Sequence, residues 1–384
     1  MNKFIPVGQP LFGKEEKKEI LDAMDSGWVT LGPRTKQFEE AFAKYVGAKY
    51  AIAVSSCTAA IHLALLAAGI GTGDEVITTP FTFVATINPI VHVGAKPVFT
   101  DINSETFLID TTQIEKKITK KTKAIIPVHY AGLPADIHAI KQLTQKYSLL
   151  LIEDAAHAAG AKYKNKYIGS IGDMACFSFH PLKNICTGDG GMITTNNKDY
   201  AEKLQKLRLH GMSRDAWKRY TATGSWRYDV QEPGYKYNMT DLAAALGIHQ
   251  LRKLPKFIKI RKYYAEIYDK YFTKIPEITI PTTNNVEHIY TLYTIKINTS
   301  QLKITRDEIV EELKKSGVGT NIQFIPVHYF SYYRDTFGYK KGDFPRTEAV
   351  FEEILSLPLY PKMSKTDVVT VAKIVIDLII KNRK

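Results

Sequence analysis

The chain has few cysteines and no long apolar run. Only three cysteines occur in 384 residues, and none lies in a Cys-x-x-Cys pair, so a disulfide framework is not indicated. The longest nearly uncharged apolar stretch, Ala59–Ile70, is much shorter than the roughly 20 residues of a membrane-spanning helix. The opening residues MNKFIPVGQP lack the apolar segment of a secretory signal. We therefore expect a cytoplasmic protein, in a reducing compartment, without a membrane partner.

Acidic residues are outnumbered by basic ones. The 52 lysines and arginines against 39 acidic residues give a formal net charge of +13. The basic residues are scattered over amphipathic stretches and the terminus, which is typical of solvated helix faces and not of a nucleic-acid partner. Zinc-finger spacings, an RNP motif and internal repeats are also missing. The positive excess favours an acidic small substrate, because it raises the local concentration of such a molecule.

Short apolar strands alternate with helical patterns over the first two-thirds of the chain. YAIAV (50–54) predicts a strand that is followed by a helix over Thr58–Ala68, and further strand patterns follow as far as GGMITT (190–195). Near-continuous apolar strands separated by helices are typical of a mostly parallel sheet. We predict an α/β domain over residues 1–250.

The pattern changes beyond residue 251. A long charged helix, which Pro255 should break or kink, leads to a strand pattern (HIYTLYTIKI) and a helix pattern (RDEIVEELKKSG). A strand over 320–328 and terminal helices follow. We predict a smaller C-terminal α+β lobe over residues 251–384, which shares an interface with the large domain because no Ser/Gly-rich linker separates them.

Unusual residues follow the predicted strands, where the sites of open α/β sheets gather. In SSCTAAIHLALLAAG (55–69) the start of a helix and the Thr58 hydroxyl suit a phosphate, although Thr58 also fits a helix N-cap. LLLIEDAAHA places Asp154 at a strand exit and His157 three residues later on the same face of a helical turn. A helix cap and a structural histidine are the alternative interpretations.

Two further segments add an amine and aromatic rings. MACFSFHPLKNICTGDGGMITT places Lys183 in an apolar neighbourhood, before glycines that we expect in positive-φ conformations. Desolvation lowers the pKa of a lysine and makes it an amine that captures carbonyl compounds. TTPFTFVAT carries Phe81 and Phe83, which are either core residues or the cover of a flat cofactor.

Together these residues supply what pyridoxal 5'-phosphate requires. Lys183 would form the Schiff base, and Asp154 would keep the pyridine nitrogen protonated so that the ring draws electrons. The other predicted cofactor contacts are Thr58, the Ala59 N–H and Ser178 at the phosphate, Phe83 over one face of the ring and His157 at its edge.

The same segments resemble the DegT group of sugar-nucleotide aminotransferases, which have the fold type I architecture. The resemblance covers roughly residues 5–365 and is strongest in SFHPLKNICTGDGG. It implies a ping-pong transfer of an amino group from L-glutamate, which leaves as 2-oxoglutarate, while the cofactor cycles with pyridoxamine 5'-phosphate. Lys183 is then the Schiff-base lysine and proton carrier, Asp154 lies at the pyridinium nitrogen, and His157 lies at the ring hydroxyl.

The resemblance also implies an acceptor and an assembly. The KYNMTDL and HGMSRDAW segments are most similar to members that aminate C4 of a UDP- or dTDP-linked 4-keto-6-deoxy sugar. It implies a homodimer with shared active sites, in which Asn238 reaches the cofactor phosphate of the neighbouring subunit. Thr30 and His328 are expected to contact the substrate, and no metal is expected.

Three departures from the family pattern leave alternatives open. Cys57 stands where glycine or alanine is commoner, and Gln323 and Thr291 stand where histidine is frequent. The last two lie in the smaller lobe and concern the substrate, not the cofactor. The alternatives are a C3 sugar-nucleotide aminotransferase, a pyridoxamine-type sugar dehydratase and a non-catalytic regulator. Such dehydratases usually carry histidine in place of the Schiff-base lysine, so Lys183 argues against that class.

Overall fold

A seven-stranded sheet forms the centre of the molecule. The computed structural model describes residues 4–212, 228–283 and 286–384. In chain order the strands of this sheet are β1 (Tyr50–Val54), β2 (Glu75–Thr78), β3 (Lys96–Phe99), β4 (Thr122–Ile125), β5 (Leu150–Asp154), β6 (Met174–Ser178) and β7 (Gly191–Thr195). Their spatial order is β1-β7-β6-β5-β4-β2-β3, and β7 is antiparallel to both of its neighbours, whereas the other neighbouring pairs are parallel. The predicted, mostly parallel α/β sheet is confirmed.

Helices cover both faces of the sheet. The helices up to the second lobe are α1 (Lys14–Asp25), α2 (Pro33–Val46), α3 (Cys57–Ala67), α4 (Val84–His92), α5 (Thr111–Ile114), α6 (Ile137–Tyr147), α7 (Lys198–Leu207) and α8 (Asp241–Phe272). Alternate residues of β1 enter different cores: Ala51 and Ala53 contribute to one, and Ile52 and Val54 to the other. Burial on both faces explains why these strands are apolar throughout.

A second, antiparallel sheet lies in the C-terminal part. It consists of β8 (Ile278–Thr279), β9 (Tyr293–Ile297) and β10 (Ile354–Leu357). The helices of this part are α9 (Arg306–Lys315), α10 (Ser331–Phe337), α11 (Pro345–Glu353) and α12 (Lys365–Lys381). Its core is separate from those of the large sheet. In the part of the chain that is described, none of the helices is long and apolar enough to cross a membrane.

Helix α8 connects the two parts, and the break predicted at Pro255 is absent. It runs unbroken through Pro255. Proline removes only one N–H donor from a helix, and the buried neighbours Leu254 and Ile258 hold the helix against the large core. Because the second half of the same helix packs on the small core through Tyr268 and Phe272, α8 belongs to both parts. The division at residue 250 stays a prediction.

The strand that we predicted over 320–328 is absent. Within this segment only Asn321 forms a bridge, to Ser356, and Pro326 has no N–H to offer a neighbouring strand. The edge of the small antiparallel sheet, next to β9, is formed instead by β10 (Ile354–Leu357), which follows α11 directly. Residues 320–326 are therefore irregular and lead into a short 3-10 helix, Val327–Tyr329, and several side chains of the irregular part face the cleft described below.

Candidate active site

A cleft of about 470 Å³ lies where β5 and β6 end and α3 and α4 begin. This volume is in the range of small-molecule sites. The parallel strands bring their carboxyl ends to one edge of the sheet, which is why segments distant in sequence meet here. Of the predicted site residues, six line the cleft: Thr58, Phe83, Asp154, His157, Ser178 and Lys183.

Lys183 lies in the turn that follows β6. Its backbone N–H donates to the His180 carbonyl at 2.9 Å, which closes the turn and directs the chain back towards the cleft. Burial lowers the pKa of Lys183 to about 8, although the nearby Cys57 and Asp154 raise it in part. The amine is thus about half neutral at pH 8 and is available as a nucleophile, unlike a solvated lysine.

Asp154 is the last residue of β5 and is only 5% exposed. Its Oδ2 accepts a hydrogen bond from the Thr86 hydroxyl at 2.6 Å, and its Oδ1 accepts one from the Ala156 N–H at 3.1 Å. Among the described residues it has no ion-pair partner at salt-bridge distance. A buried carboxylate is costly unless it is paired, so this one favours a ligand that brings positive charge.

The threonines that hold Asp154 were not predicted from the sequence. Thr86 lies at the start of α4, and its hydroxyl also lies 2.7 Å from that of Thr82, with both side chains buried. The sequence offered no local signal, because Thr82 precedes the first residue of α4, Val84, and the partner Asp154 lies 68 residues away. The prediction drawn from TTPFTFVAT concerned only the phenylalanines.

His157 is held as a neutral hydrogen-bond donor. Its Nδ1 accepts a hydrogen bond from the Ala131 N–H at 3.2 Å, which assigns the ring proton to Nε2. Burial, helped by the charge of Lys183, keeps the pKa of His157 well below its usual range. The ring stacks on Phe324 with the planes 14° apart and the centroids 6.0 Å apart. The Nε2–H can therefore donate to an oxygen in the cleft.

The start of α3 differs in one respect from the prediction. Ser56 is the N-cap, and its hydroxyl accepts the hydrogen bond of the Ala59 N–H at 3.1 Å. The Ala59 N–H, which we predicted at a phosphate, thus has a partner within the chain, and Ala59 is not part of the cleft wall. Thr58 and Ser178 remain in the wall and leave hydroxyl groups near the helix terminus, a place suited to an anion.

The glycines after Lys183 serve two different purposes. Only Gly188 has a positive φ, of 85°, which corrects our expectation for the whole turn. Gly191 is required for another reason: a Cβ there would lie 2.4 Å from the Ser56 carbonyl oxygen. The absence of a side chain lets β7 pass directly beside the start of α3, and so places the lysine turn next to the anion site.

The two phenylalanines of the fourth segment have different environments. Phe81 is fully buried, whereas Phe83 is 59% exposed and lies in the wall of the cleft. A large aromatic side chain that is exposed in a cleft does not belong to the core, and its ring can stack on the face of a flat ligand. The structure thus separates Phe83 from Phe81, which the sequence pattern did not.

Besides Ala59, three predicted residues do not line the cleft of their own chain: Asn238, Thr30 and His328. Asn238 is buried, and its side chain accepts from Lys236 at 2.7 Å and donates to the Met239 carbonyl. His328 is paired with Glu348 at 3.0 Å, and Thr30 is exposed. Residues 213–217 of the HGMSRDAW segment lie outside the described residues.

No group of histidine, cysteine, aspartate and glutamate side chains in the described ranges could hold a metal ion. The three cysteines, Cys57, Cys176 and Cys186, are free and buried. Burial raises the pKa of the Cys57 thiol well above its usual range, with Asp154 adding to the effect. Cys57 is therefore an uncharged wall of the cleft and not a nucleophile.

Known proteins share both the sequence and this architecture. The model of the DegT/DnrJ/EryC1/StrS aminotransferase family matches residues 10–376. The spore coat polysaccharide biosynthesis protein SpsC of Bacillus subtilis is 48% identical over 380 residues, which is 98% of each chain. Among solved structures, Spr1654 of Streptococcus pneumoniae, assigned as a sugar aminotransferase, matches in its pyridoxamine phosphate form with a TM-score of 0.91 and 34% identity, over 98% of this chain and 99% of that one.

A second solved structure has the same similarity of fold. PseC of Helicobacter pylori, an aminotransferase involved in the biosynthesis of pseudoaminic acid, has a TM-score of 0.91 and 30% identity, over 99% of this chain and all of that one. Spr1654 has also been solved in its pyridoxal phosphate form. These matches cover both parts of the chain and the whole cleft.

The lowered pKa of Lys183 predicts selective chemical reactivity. In the cofactor-free protein, reductive methylation of Lys183 should rise with pH with a midpoint of about 8, because only the neutral amine attacks formaldehyde. Lys146 is the control, because its hydrogen bond to Glu115 raises its pKa, and it should react only at a higher pH than Lys183. Peptide mass spectrometry across a pH series measures both; equal midpoints for the two lysines would refute the desolvation argument.

Proposed function

Because the chain belongs to the DegT/DnrJ/EryC1/StrS family and is a pyridoxal-phosphate-dependent sugar aminotransferase, we propose that it transfers an amino group from L-glutamate to C4 of a UDP- or dTDP-linked 4-keto-6-deoxy sugar. The observation that carries the proposal is the meeting, in one cleft, of an amine with a lowered pKa and a buried carboxylate without an ion pair among the described residues.

The residues of the cleft fit pyridoxal phosphate. When bound, this cofactor supplies an aldehyde that takes up amines and a ring that draws electrons from the carbon bearing the amine. Asp154 would hold the ring nitrogen in its protonated form, which would also give this carboxylate the positive partner it lacks among the described residues. Phe83 would cover one face of the ring, and the Thr58 and Ser178 hydroxyls would bind the phosphate.

Lys183 and His157 divide the proton chemistry between them. We assign to Lys183 Nζ the removal of the proton from the α-carbon of the amino donor, since a base with a pKa of about 8 suits proton transfer near neutral pH. His157, neutral and protonated on Nε2, would donate a hydrogen bond to the ring hydroxyl and fix its orientation. His157 would stay neutral throughout, with its proton on Nε2, because burial opposes the doubly protonated, charged form of the ring.

Several observations support the acceptor. The KYNMTDL segment resembles members that aminate C4, and a net charge of +13 suits a substrate with two phosphates. SpsC is named for spore coat polysaccharide biosynthesis and PseC for pseudoaminic acid biosynthesis, which favours a sugar destined for a surface polysaccharide. The three free cysteines are consistent with a cytoplasmic location, where we place the enzyme.

We also propose a homodimer with shared sites. Asn238 and Thr30 lie outside the cleft of their own chain, which supports a contact with the cofactor or substrate of a second copy. Large apolar side chains near Thr30 are exposed, among them Leu21, Met24 and Val29. An apolar surface of this kind is typical of a protein–protein interface.

A substrate screen tests the reaction directly. The purified protein, supplied with L-glutamate and a panel of keto-sugar nucleotides, should convert the 4-keto-6-deoxy sugars to amines, which mass spectrometry detects. Lys183→Ala should form no product, because neither the amine nor the base remains. Amination of 3-keto sugars alone would replace the C4 assignment by C3, and turnover by Lys183→Ala at even a tenth of the parent rate would refute the role of Lys183.

Asp154→Asn should reduce the turnover rate far more than it reduces cofactor binding. Asparagine nearly preserves the shape but lacks the charge that keeps the ring nitrogen protonated, so we expect a loss of about a hundredfold or more. Thr86→Val is the graded control: it keeps the carboxylate and removes one hydrogen bond, so the loss should be much smaller. An unchanged kcat in Asp154→Asn would assign this role to another residue.

Complementation tests the shared site. Asn238→Asp keeps the contact with Lys236 but loses the donation to the Met239 carbonyl, so its fold is verified by circular dichroism; it should weaken cofactor retention through repulsion of the phosphate. Mixed with inactive Lys183→Ala chains and allowed to exchange, about half of the dimers should contain both variants, each with one intact site. Activity should return to about a quarter of that of the parent. If no activity returns although tagged chains show that the subunits have exchanged, Asn238 acts in the site of its own subunit or has no role in the reaction.

A further inference from the structure

A closed hydrogen-bond network links the small lobe to the cleft. Thr291, just before β9, is 2% exposed. Its single hydroxyl proton is shared between two acceptors, the His157 carbonyl oxygen at 2.5 Å and Asn184 Oδ1 at 3.0 Å. Its backbone N–H donates to the Ala131 carbonyl at 2.8 Å, and the Ala131 N–H in turn donates to His157 Nδ1. One residue of the small lobe thus contacts both the histidine segment and the lysine turn.

Asn184 carries the network to the lysine. It follows Lys183 directly, is 4% exposed, and its Nδ2 donates to the Ala159 carbonyl at 3.2 Å. The amide therefore joins the lysine turn to the segment after His157, while its oxygen faces Thr291. Because both amide ends are engaged and water is excluded, loss of one partner leaves a buried polar group unsatisfied.

The packing at this point leaves no room for adjustment. Ala131 has a φ of 54° and Gly132 a φ of 89°, so the chain turns sharply beneath Thr291. A Cβ on Gly132 would lie 2.9 Å from the Thr291 hydroxyl and 3.1 Å from the His157 carbonyl oxygen. A side chain is therefore excluded at Gly132, and the glycine lets this turn lie directly beside the Thr291 hydroxyl.

We infer that Thr291 is a positioning residue: its hydroxyl holds the His157 segment and, through Asn184, the Lys183 turn in their working positions. The inference rests on the roles proposed above for Lys183 and His157. The position of the small lobe therefore affects the cleft. The side chain that joins the His157 segment to the Lys183 turn comes from that lobe and not from the central sheet.

Substitutions of the hydroxyl test this role. Thr291→Val has nearly the same shape without the hydroxyl and should lower kcat about tenfold, the effect of an unsatisfied buried group on the barrier, with the KM for glutamate within about twofold. Thr291→Ser keeps the hydroxyl and should stay within about twofold of the parent. Thr144→Val is the matched control, because among the described residues that buried hydroxyl bonds to its own helix alone, at the Lys141 carbonyl.

A double-mutant cycle separates positioning from general destabilisation. If Thr291 acts through Asn184, Thr291→Val combined with Asn184→Ala should lose no more than about the larger of the single effects, whereas independent residues would multiply them. In the cofactor-free protein, Thr291→Val should speed hydrogen exchange in peptides covering 155–161 and 181–187 and leave 50–54 unchanged. Thr144→Val should change neither of the first two peptides.

These experiments distinguish failure of the positioning role of Thr291 from failure of the proposed function. Activity retained by Lys183→Ala would overturn the assignment of the lysine itself. An inactive Lys183→Ala together with a Thr291→Val enzyme that equals Thr144→Val in kcat and in exchange would overturn only the positioning role. Multiplicative losses in the double variant, or failure of Thr291→Ser to restore kcat, would likewise show that the hydroxyl does not act through Asn184.

Discussion

The hydrogen bond from the Thr86 hydroxyl to the Asp154 carboxylate joins the start of a helix to the end of the central parallel strand. Asp154 is almost completely buried, so its charge has a large energetic cost that only hydrogen bonds and a cationic ligand can offset. The same carboxylate lies close enough to Lys183 to act on its pKa, against the stronger effect of burial. The chemistry of the cleft thus depends on the buried carboxylate of Asp154, at the point where the end of β5, the start of α4 and the Lys183 turn meet.

The cleft has walls from both parts of the chain, which are connected by buried hydrogen bonds. Thr291 contacts the His157 and Asn184 segments, and a second link runs from Tyr130, whose hydroxyl donates to the Gln323 carbonyl at 2.6 Å. Helix α8 contributes to the cores of both parts, so the lobes are also joined by apolar packing. The hydrogen bonds of Thr291 and Tyr130, together with helix α8, hold the two parts against each other. They explain why the irregular residues 320–326 have defined positions in the cleft.

The three residues that depart from the family pattern lie in the cleft wall or in the contacts that support it. Thr291 makes a compact bridge within the chain. Gln323 lines the cleft, and its Oε1 is buried without a partner among the described residues, while its neighbour Phe324 stacks on His157. Cys57 is an uncharged thiol that packs against the Cys176 carbonyl. None of these changes removes a group that the cofactor chemistry requires.

The sequence by itself determined the strand-and-helix alternation, the family, and the residues with unusual chemistry, because apolar periodicity and short motifs are local properties. Its local signals also sufficed for Lys183, Asp154 and His157 to be found together. Only the tertiary structure decided that Phe83 and not Phe81 faces the cleft, that Ser56 takes the Ala59 N–H, and that residues 320–326 are irregular. The roles of Thr86 and Thr291 also depended on it, since their partners lie 68 and 134 residues away and such contacts arise only when the strands assemble.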